Sequence, residues 1–373
     1  MTARRQARDL HSPAVKPADL SAIVDRNIAL GAFDGVALAV LRGDEPVFQR
    51  YAGEAAPGLP AGPDVLWPLA SITKLFTAAA VMRLVELGEL TVNTPVWQID
   101  PEFSGDGRED VRVRHLLTHT SGLPYESPEM GARLAAHVGV AELIDEGYEA
   151  RLLFAPGTRF QYSDFAYGLA GRVAEMVAGR PYQEVVRALV LEPMGLADTF
   201  MLPADGGAAR IAAVRGVFND GTEGAMYNSA YGRSLAHPAF SAVSTLGDMV
   251  RFLWHFAPGG PRTLSDATVR AMISPQTAGA PGEHPLLDGF PPEAVIPWGF
   301  GFALQTEAAP AVFSELASFA TFGHPGASGC QILVDPAADL LVVLLTNTHI
   351  LTGRDTWLRR QQEIVNACFA LAT

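Results

Sequence analysis

The chain has 373 residues, 49% of them hydrophobic and 18% charged, with a formal net charge of −13. That supplies enough apolar material for two lobes or one large domain, while the acidic balance disfavours nucleic acid or an anionic membrane surface as a partner. No apolar run approaches the roughly 20 residues needed to span a bilayer, and the two cysteines, Cys330 and Cys368, make neither a disulfide framework nor a metal-ligand motif.

In chain order, residues 1–18 read as a flexible polar tail. The tail carries Arg4, Arg5 and Arg8 without an apolar stretch that would mark a secretory signal. With two separate thiols, this leads to the expectation of a cytoplasmic protein. Residues 20–30 have helical periodicity. The apolar runs 36–40 and 47–52 read as strands joined by the turn-like Arg42-Gly43-Asp44-Glu45-Pro46. From residue 71 to about 196 helices dominate, punctuated at Asn93-Thr94-Pro95, Gly122-Leu123-Pro124 and Ala155-Pro156-Gly157. Residues 203–243, with Tyr227 and Tyr231, and 277–296, with Leu286, Leu287 and Phe290, are loop-rich, either lids or surface padding. Strands are expected again at 299–305, 311–322, 329–334 and 340–345, with a final helix over 355–371. The pattern predicts an α+β protein. Residues 19–70 and 297–373 form an antiparallel sheet flanked by the terminal helices, and 71–296 form a mainly helical lobe, with a cleft between the two.

Lysine occurs only at positions 16 and 74. Lys74 follows a serine by three residues in Ser71-Ile72-Thr73-Lys74, a spacing that puts hydroxyl and amine on one face of a helix. Chance would place roughly 0.1 such matches in a chain of this composition. An ammonium in a buried setting can be driven toward the neutral amine and act as a base, whereas a guanidinium stays charged. The alternative is an N-cap serine followed by a solvated lysine. Against it, Leu75, Phe76, residues 78–82 and Leu84 make this helix apolar almost all round.

Two further stretches carry chemistry. Tyr162-Ser163-Asp164 follows a turn at Ala155-Pro156-Gly157, and a phenol there relays a proton if a neighbouring ammonium favours phenolate. On its own, a tyrosine opening a helix is more often a half-buried packing residue. Phe322-Gly323-His324-Pro325-Gly326-Ala327-Ser328-Gly329 lies between two expected strands, where a backbone N–H could stabilise an oxyanion or the segment could be a hairpin turn. No Gly-x-Ser-x-Gly elbow, His-Glu-x-x-His or Gly-rich phosphate loop is present. No metal and no cofactor is expected.

Trp67-Pro68-Leu69-Ala70-Ser71-Ile72-Thr73-Lys74, His115-Leu116-Leu117-Thr118-His119-Thr120-Ser121-Gly122-Leu123, Tyr162-Ser163-Asp164, Trp298-Gly299-Phe300-Gly301 and His324-Pro325-Gly326 occur in this order. Together the chain resembles the serine β-lactamase superfamily, with a β-lactamase/DD-peptidase-like fold over residues 20–370, and within it the class C-like esterases of carboxylesterase family VIII. The resemblance implies Ser71 as acylated nucleophile, Lys74 as its activating partner and Tyr162 as proton relay. It implies an oxyanion hole from the backbone N–H groups of Ser71 and Ala327, and substrate contacts at Asp164, Trp298, His324 and Gly326. His324 stands where penicillin-recognising members commonly carry lysine, so a grip on a substrate carboxylate is missing. Asp164 replaces the usual Asn of the Tyr-x-Asn signature, and a carboxylate pointed at Lys74 would favour its ammonium form.

The implied activity is hydrolysis of short-chain acyl or aryl carboxylic esters through an acyl-enzyme, with a small-molecule ester as the expected partner and the oligomeric state left open. A β-lactamase or D-alanyl-peptide hydrolase is one alternative; an acyltransferase or non-hydrolytic acyl-binding protein is another.

Overall fold

The strand Gly35–Arg42 is buried at every position but its last. A strand covered on both faces reads as a continuous apolar run, which is why 36–40 shows no alternation. Val36, Leu38 and Val40 pack with Leu20, Val24, Ile364, Val365 and Phe369 of the terminal helices Pro17–Ala29 and Arg354–Ala372. Ala37, Ala39 and Leu41 face the opposite core, which holds Leu75, Phe76, Met249 and Phe252. The sheet thus separates a layer built from both chain ends from the helices of the middle region.

In this computed structural model, residues 15–217, 225–277, 279–283, 295, 297–307, 309, 312–352 and 354–372 are described. Seven antiparallel strands form the main sheet in the order Leu59–Pro60, Glu45–Ala56, Gly35–Arg42, Leu340–Thr346, Gln331–Asp335, Phe322–Pro325 and Ala303–Leu304. The first and last thirds of the sequence meet at its centre, with Leu38 opposite Leu344 and Val40 opposite Val342. No helix among the described residues is long and apolar enough to cross a membrane. Cys330 and Cys368 are buried free thiols.

Several boundaries differ from the sequence expectation. The first helix begins at Pro17, inside the stretch read as tail, and residues 1–14 lie outside the described ones. The strand expected over 299–305 shortens to Ala303–Leu304, and none occupies the described part of 311–321. Instead Phe322–Pro325 pairs with Gln331–Asp335, so His324 is a strand residue opposite Ile332 rather than part of a turn. Gly and Pro disfavour strands in a sequence reading. Here Pro325 is the last residue of its strand, and a Cβ at Gly323 would come within 2.1 Å of the Ile332 carbonyl oxygen, a close approach that only glycine permits. The region 71–296 also holds short strands: Val243–Ser244 and Thr199–Phe200 form a three-stranded sheet with Trp67–Pro68 from just before that region, and Phe160–Gln161 pairs with Gly282–Glu283. In the 203–243 stretch the described residues make single turns at Pro203–Gly206, Ala208–Arg210 and Gly232–Ser234. Of the two loop-rich stretches, read as lids or surface padding, residues 218–224 of 203–243 and 284–294 of 277–296, with Leu286, Leu287 and Phe290, lie outside the described residues.

The helix Thr73–Glu86 is buried over Thr73, Lys74 and all of 75–82. It packs against the helix Asp164–Ala178 on one side and Leu246–Trp254 on another, where the rings of Phe76 and Phe252 lie 4.5 Å apart. Its N-terminal end points to the junction of sheet and helices.

Candidate active site

Ser71 sits in a single 3-10 turn, Ala70–Ile72, that leads directly into the helix Thr73–Glu86. Ala70 holds φ at +48°, a left-handed conformation that costs a non-glycine residue about 1–2 kcal/mol and persists only where the surroundings impose it. They do so through Ala242: its carbonyl accepts from the Leu69 N–H at 2.8 Å, and its own N–H donates to Thr73 Oγ1 at 2.9 Å. Thr73 Oγ1 in turn donates to the Ala70 carbonyl at 2.6 Å.

The Lys74 side chain is 0% exposed. Its Nζ donates to Ser71 Oγ at 3.0 Å and to the Ala239 carbonyl at 3.0 Å, and lies 2.7 Å from Asp164 Oδ1. The sequence left open whether Asp164 points at the lysine; it does. Burial lowers the Lys74 pKa against the opposing charges of Asp164 and Glu126, and burial raises that of Asp164 against the opposing charge of Lys74. Both shifts favour the neutral forms, because two charges removed from water lose more solvation than one contact restores unless the remaining polar groups are well placed. At 2.7 Å a proton can sit on either atom, so amine and carboxyl titrate as one unit.

Tyr162 is fully buried, its ring 4.8 Å from Lys74 Nζ. Burial, reinforced by the Asp164 charge, raises the phenol well above its ordinary pKa, against the opposing influence of the facing Ser71 hydroxyl. The phenolate expected from a neighbouring ammonium is therefore not the resting form: Asp164 offsets Lys74, and Tyr162 keeps its proton at neutral pH. Trp298, 1% exposed, packs edge-on to Tyr162 and His119. His324 Nδ1 donates to the Pro325 carbonyl at 2.6 Å, and its ring lies 5.4 Å from Trp298 and 6.3 Å from Tyr162.

Gly326 explains how Ala327 reaches the site. A Cβ on Gly326 would stand 2.3 Å from the Leu69 carbonyl oxygen, so the end of the Phe322–Pro325 strand presses against the Ser71 turn. Ala327 packs beside Ala70, Val214 and Tyr227, and its carbonyl is held by the Ile350 N–H at 3.0 Å. All sequence-identified candidates, Ser71, Lys74, Tyr162, Asp164, Trp298, His324, Gly326 and Ala327, thus belong to one constellation.

The sequence reading missed three contributors. The Ala239 carbonyl has no residue-type signal, since any residue supplies it. Glu126, half-buried, has its carboxyl raised to about 7 by burial and by Asp164, with Lys74 opposing; its place two residues after the Gly122-Leu123-Pro124 turn was the available hint. His119 was quoted within a familial stretch without a role, yet its ring stacks on Tyr162 at 4.2 Å.

A profile of the Beta-lactamase family matches residues 20–365. Esterase EstB of Burkholderia gladioli is 33% identical, over 89% of this chain and 90% of that protein. Penicillin-binding protein 4 of Amycolatopsis lactamdurans is 30% identical, over 88% of this chain and 84% of that protein. Among solved structures, EstCE1, described as a hydrolase with promiscuous acyltransferase activity, superposes with a TM-score of 0.74 over 95% of this chain and 97% of that one at 21% identity. A match of this extent, on a fold that brings a buried lysine to a serine three residues away, places the chain in the β-lactamase family as a serine hydrolase of that superfamily.

Proposed function

We propose that the protein hydrolyses carboxylic esters of short acyl or aryl groups through a Ser71 acyl-enzyme. The observation that carries the chemistry is the fully buried Lys74 amine, 3.0 Å from Ser71 Oγ and 2.7 Å from Asp164 Oδ1. The pair carries one proton. When that proton rests on Asp164, the amine is free to take the proton of Ser71 as Oγ attacks the ester carbonyl carbon. The N–H groups of Ser71 and Ala327 face the developing oxyanion. As the C–O bond breaks, the Tyr162 phenol protonates the departing alkoxide and recovers its proton from the Lys74 ammonium. Water then attacks the acyl carbon by the same route in reverse, releasing the acid and restoring Ser71.

Two features favour esters over β-lactams or D-alanyl peptides. His324 occupies the position of a permanent cation, and its Nδ1 proton is engaged by the Pro325 carbonyl, so the site presents no fixed positive charge there to a substrate carboxylate. The 33% identity to an esterase over nine-tenths of both chains points the same way. Trp298 and Gly326 act by shaping the site around Tyr162 and Ala327. Brief exposure to a fluorophosphonate should give one adduct by intact mass, on the peptide containing Ser71, and none in Ser71→Ala. A panel of p-nitrophenyl esters of increasing chain length, a chromogenic cephalosporin and a D-alanyl peptide should show turnover of the short esters above the others. Faster turnover of the cephalosporin or the peptide would replace the ester assignment with the corresponding one.

A further inference from the structure

We infer that His119 is a positioning residue that sets the Tyr162 phenol against Ser71, gripping three consecutive residues at once. Its backbone carbonyl accepts from the Gln161 N–H at 2.8 Å. Its Nδ1 accepts from the Ser163 N–H at 3.0 Å. Between those two bonds its ring stacks on the Tyr162 ring, with centroids 4.2 Å apart and planes 30° apart. The inference rests on the proton-relay role proposed above for Tyr162.

Each contact places a demand on the residue at 119. An acceptor at Nδ1 requires the neutral ring with its proton on Nε2, since a protonated Nδ1 would oppose the Ser163 N–H. The backbone holds φ at +57°, a left-handed conformation in which His, Asn and Asp are several-fold enriched over other non-glycine residues. The ring is 0% exposed and walled by Tyr167 at 5.0 Å, Trp298 at 5.1 Å and Phe160 at 5.7 Å, so it cannot tilt without moving an aromatic neighbour.

The same loop holds the residues that follow Tyr162. Ser163 Oγ donates to the Pro124 carbonyl at 2.7 Å, and the Asp164 N–H donates to the Tyr125 carbonyl at 2.7 Å. Segment 119–125 is therefore a template on which 161–164 is laid, and His119 is the part of it that touches the Tyr162 ring. With that ring 4.8 Å from Lys74 Nζ, a tilt at 119 moves the phenol relative to both Ser71 and Lys74.

A double-substitution cycle tests this, using p-nitrophenyl ester turnover and the rate of fluorophosphonate labelling of Ser71, which needs no knowledge of the natural substrate. His119→Phe keeps a ring but removes the acceptor. We expect kcat to fall on the order of 10-fold or more with KM changed less than about twofold, because misplacing a catalytic group affects the chemical step rather than ground-state binding. In a Tyr162→Phe background the same substitution should cost almost nothing further, since the group it positions is already gone. Should His119→Phe fail to fold, His119→Asn, which accepts a positive φ and offers an amide oxygen, completes the cycle. Losses that multiply in the double variant, or a loss confined to KM, would overturn the positioning role while leaving that of Tyr162 intact. A Tyr162→Phe enzyme of unchanged rate would overturn both.

Discussion

At Lys74 the decisive quantity is how many charges the surroundings tolerate. Its Nζ meets a carboxylate, a carbonyl and a hydroxyl within 3.0 Å, and no part of the side chain is open to water. An exposed Lys–Asp contact would hold an ammonium and a carboxylate and be worth little. Here burial shifts both groups toward neutrality, against the contact itself, which favours the charged forms. This gives a signed expectation for Asp164→Asn. The Asp164 charge is the largest influence holding the amine protonated against burial. Asp164→Asn removes it, so the Lys74 pKa should fall. The acidic limb of the kcat/KM profile should therefore move to lower pH; an unchanged limb would show that Asp164 does not set the protonation of Lys74.

At the scale of elements, the site depends on two backbone approaches that side chains would block. The strand end at Gly326 presses on the Ser71 turn, and Gly301 lies where a Cβ would come within 2.7 Å of the Ala78 methyl on the buried helix. Gly326→Ala forces the Leu69 carbonyl and the Ala327 segment apart, because the 2.3 Å approach involves backbone and has no flexible side chain to yield. The expected result is a fall in kcat on the order of 10²-fold from a widened oxyanion hole, with an unfolding midpoint displaced far less than for a core truncation. Steady-state kinetics beside thermal unfolding separates the two. Of this arrangement, the glycines and the flanking motifs were legible in the sequence. The identity of the partner backbone was not, because carbonyl oxygens of Leu69 and Ala239 carry no residue-type signature.

Across the whole molecule, Asn347 joins segments far apart in sequence. Its Oδ1 accepts from the Gly35 N–H at 2.8 Å, while its Nδ2 donates to the carbonyls of Ala55 at 2.9 Å and of Glu54 and Ala213 at 3.1 Å. The side chain is 1% exposed, so Asn347→Ala takes from the buried Gly35 N–H its acceptor, while the Ala55 carbonyl keeps the Ala213 N–H. That should cost about 3 kcal/mol of stability. The urea midpoint should drop, while the per-molecule kcat of the folded fraction stays close to native. A parallel loss of kcat would show that this tie transmits strain to the site.

Taken alone, the sequence determined which chemistry was available. A serine three residues before one of only two lysines, a tyrosine opening an apolar helix, and an apolar strand at each end of the chain are properties of residue type and spacing, which local physics reads directly. It also placed the sheet at the two termini, since strands buried on both faces must be apolar throughout. Only the tertiary structure decided the protonation of the site. Whether Asp164 faced Lys74, whether Tyr162 rested as phenol or phenolate, and whether Glu126 and His119 belonged to the site all depend on distance and burial between segments 38 to 91 residues apart in the chain. Coulomb interactions and desolvation act through space, so a linear pattern names the charges present but cannot say which of them share one low-dielectric cavity.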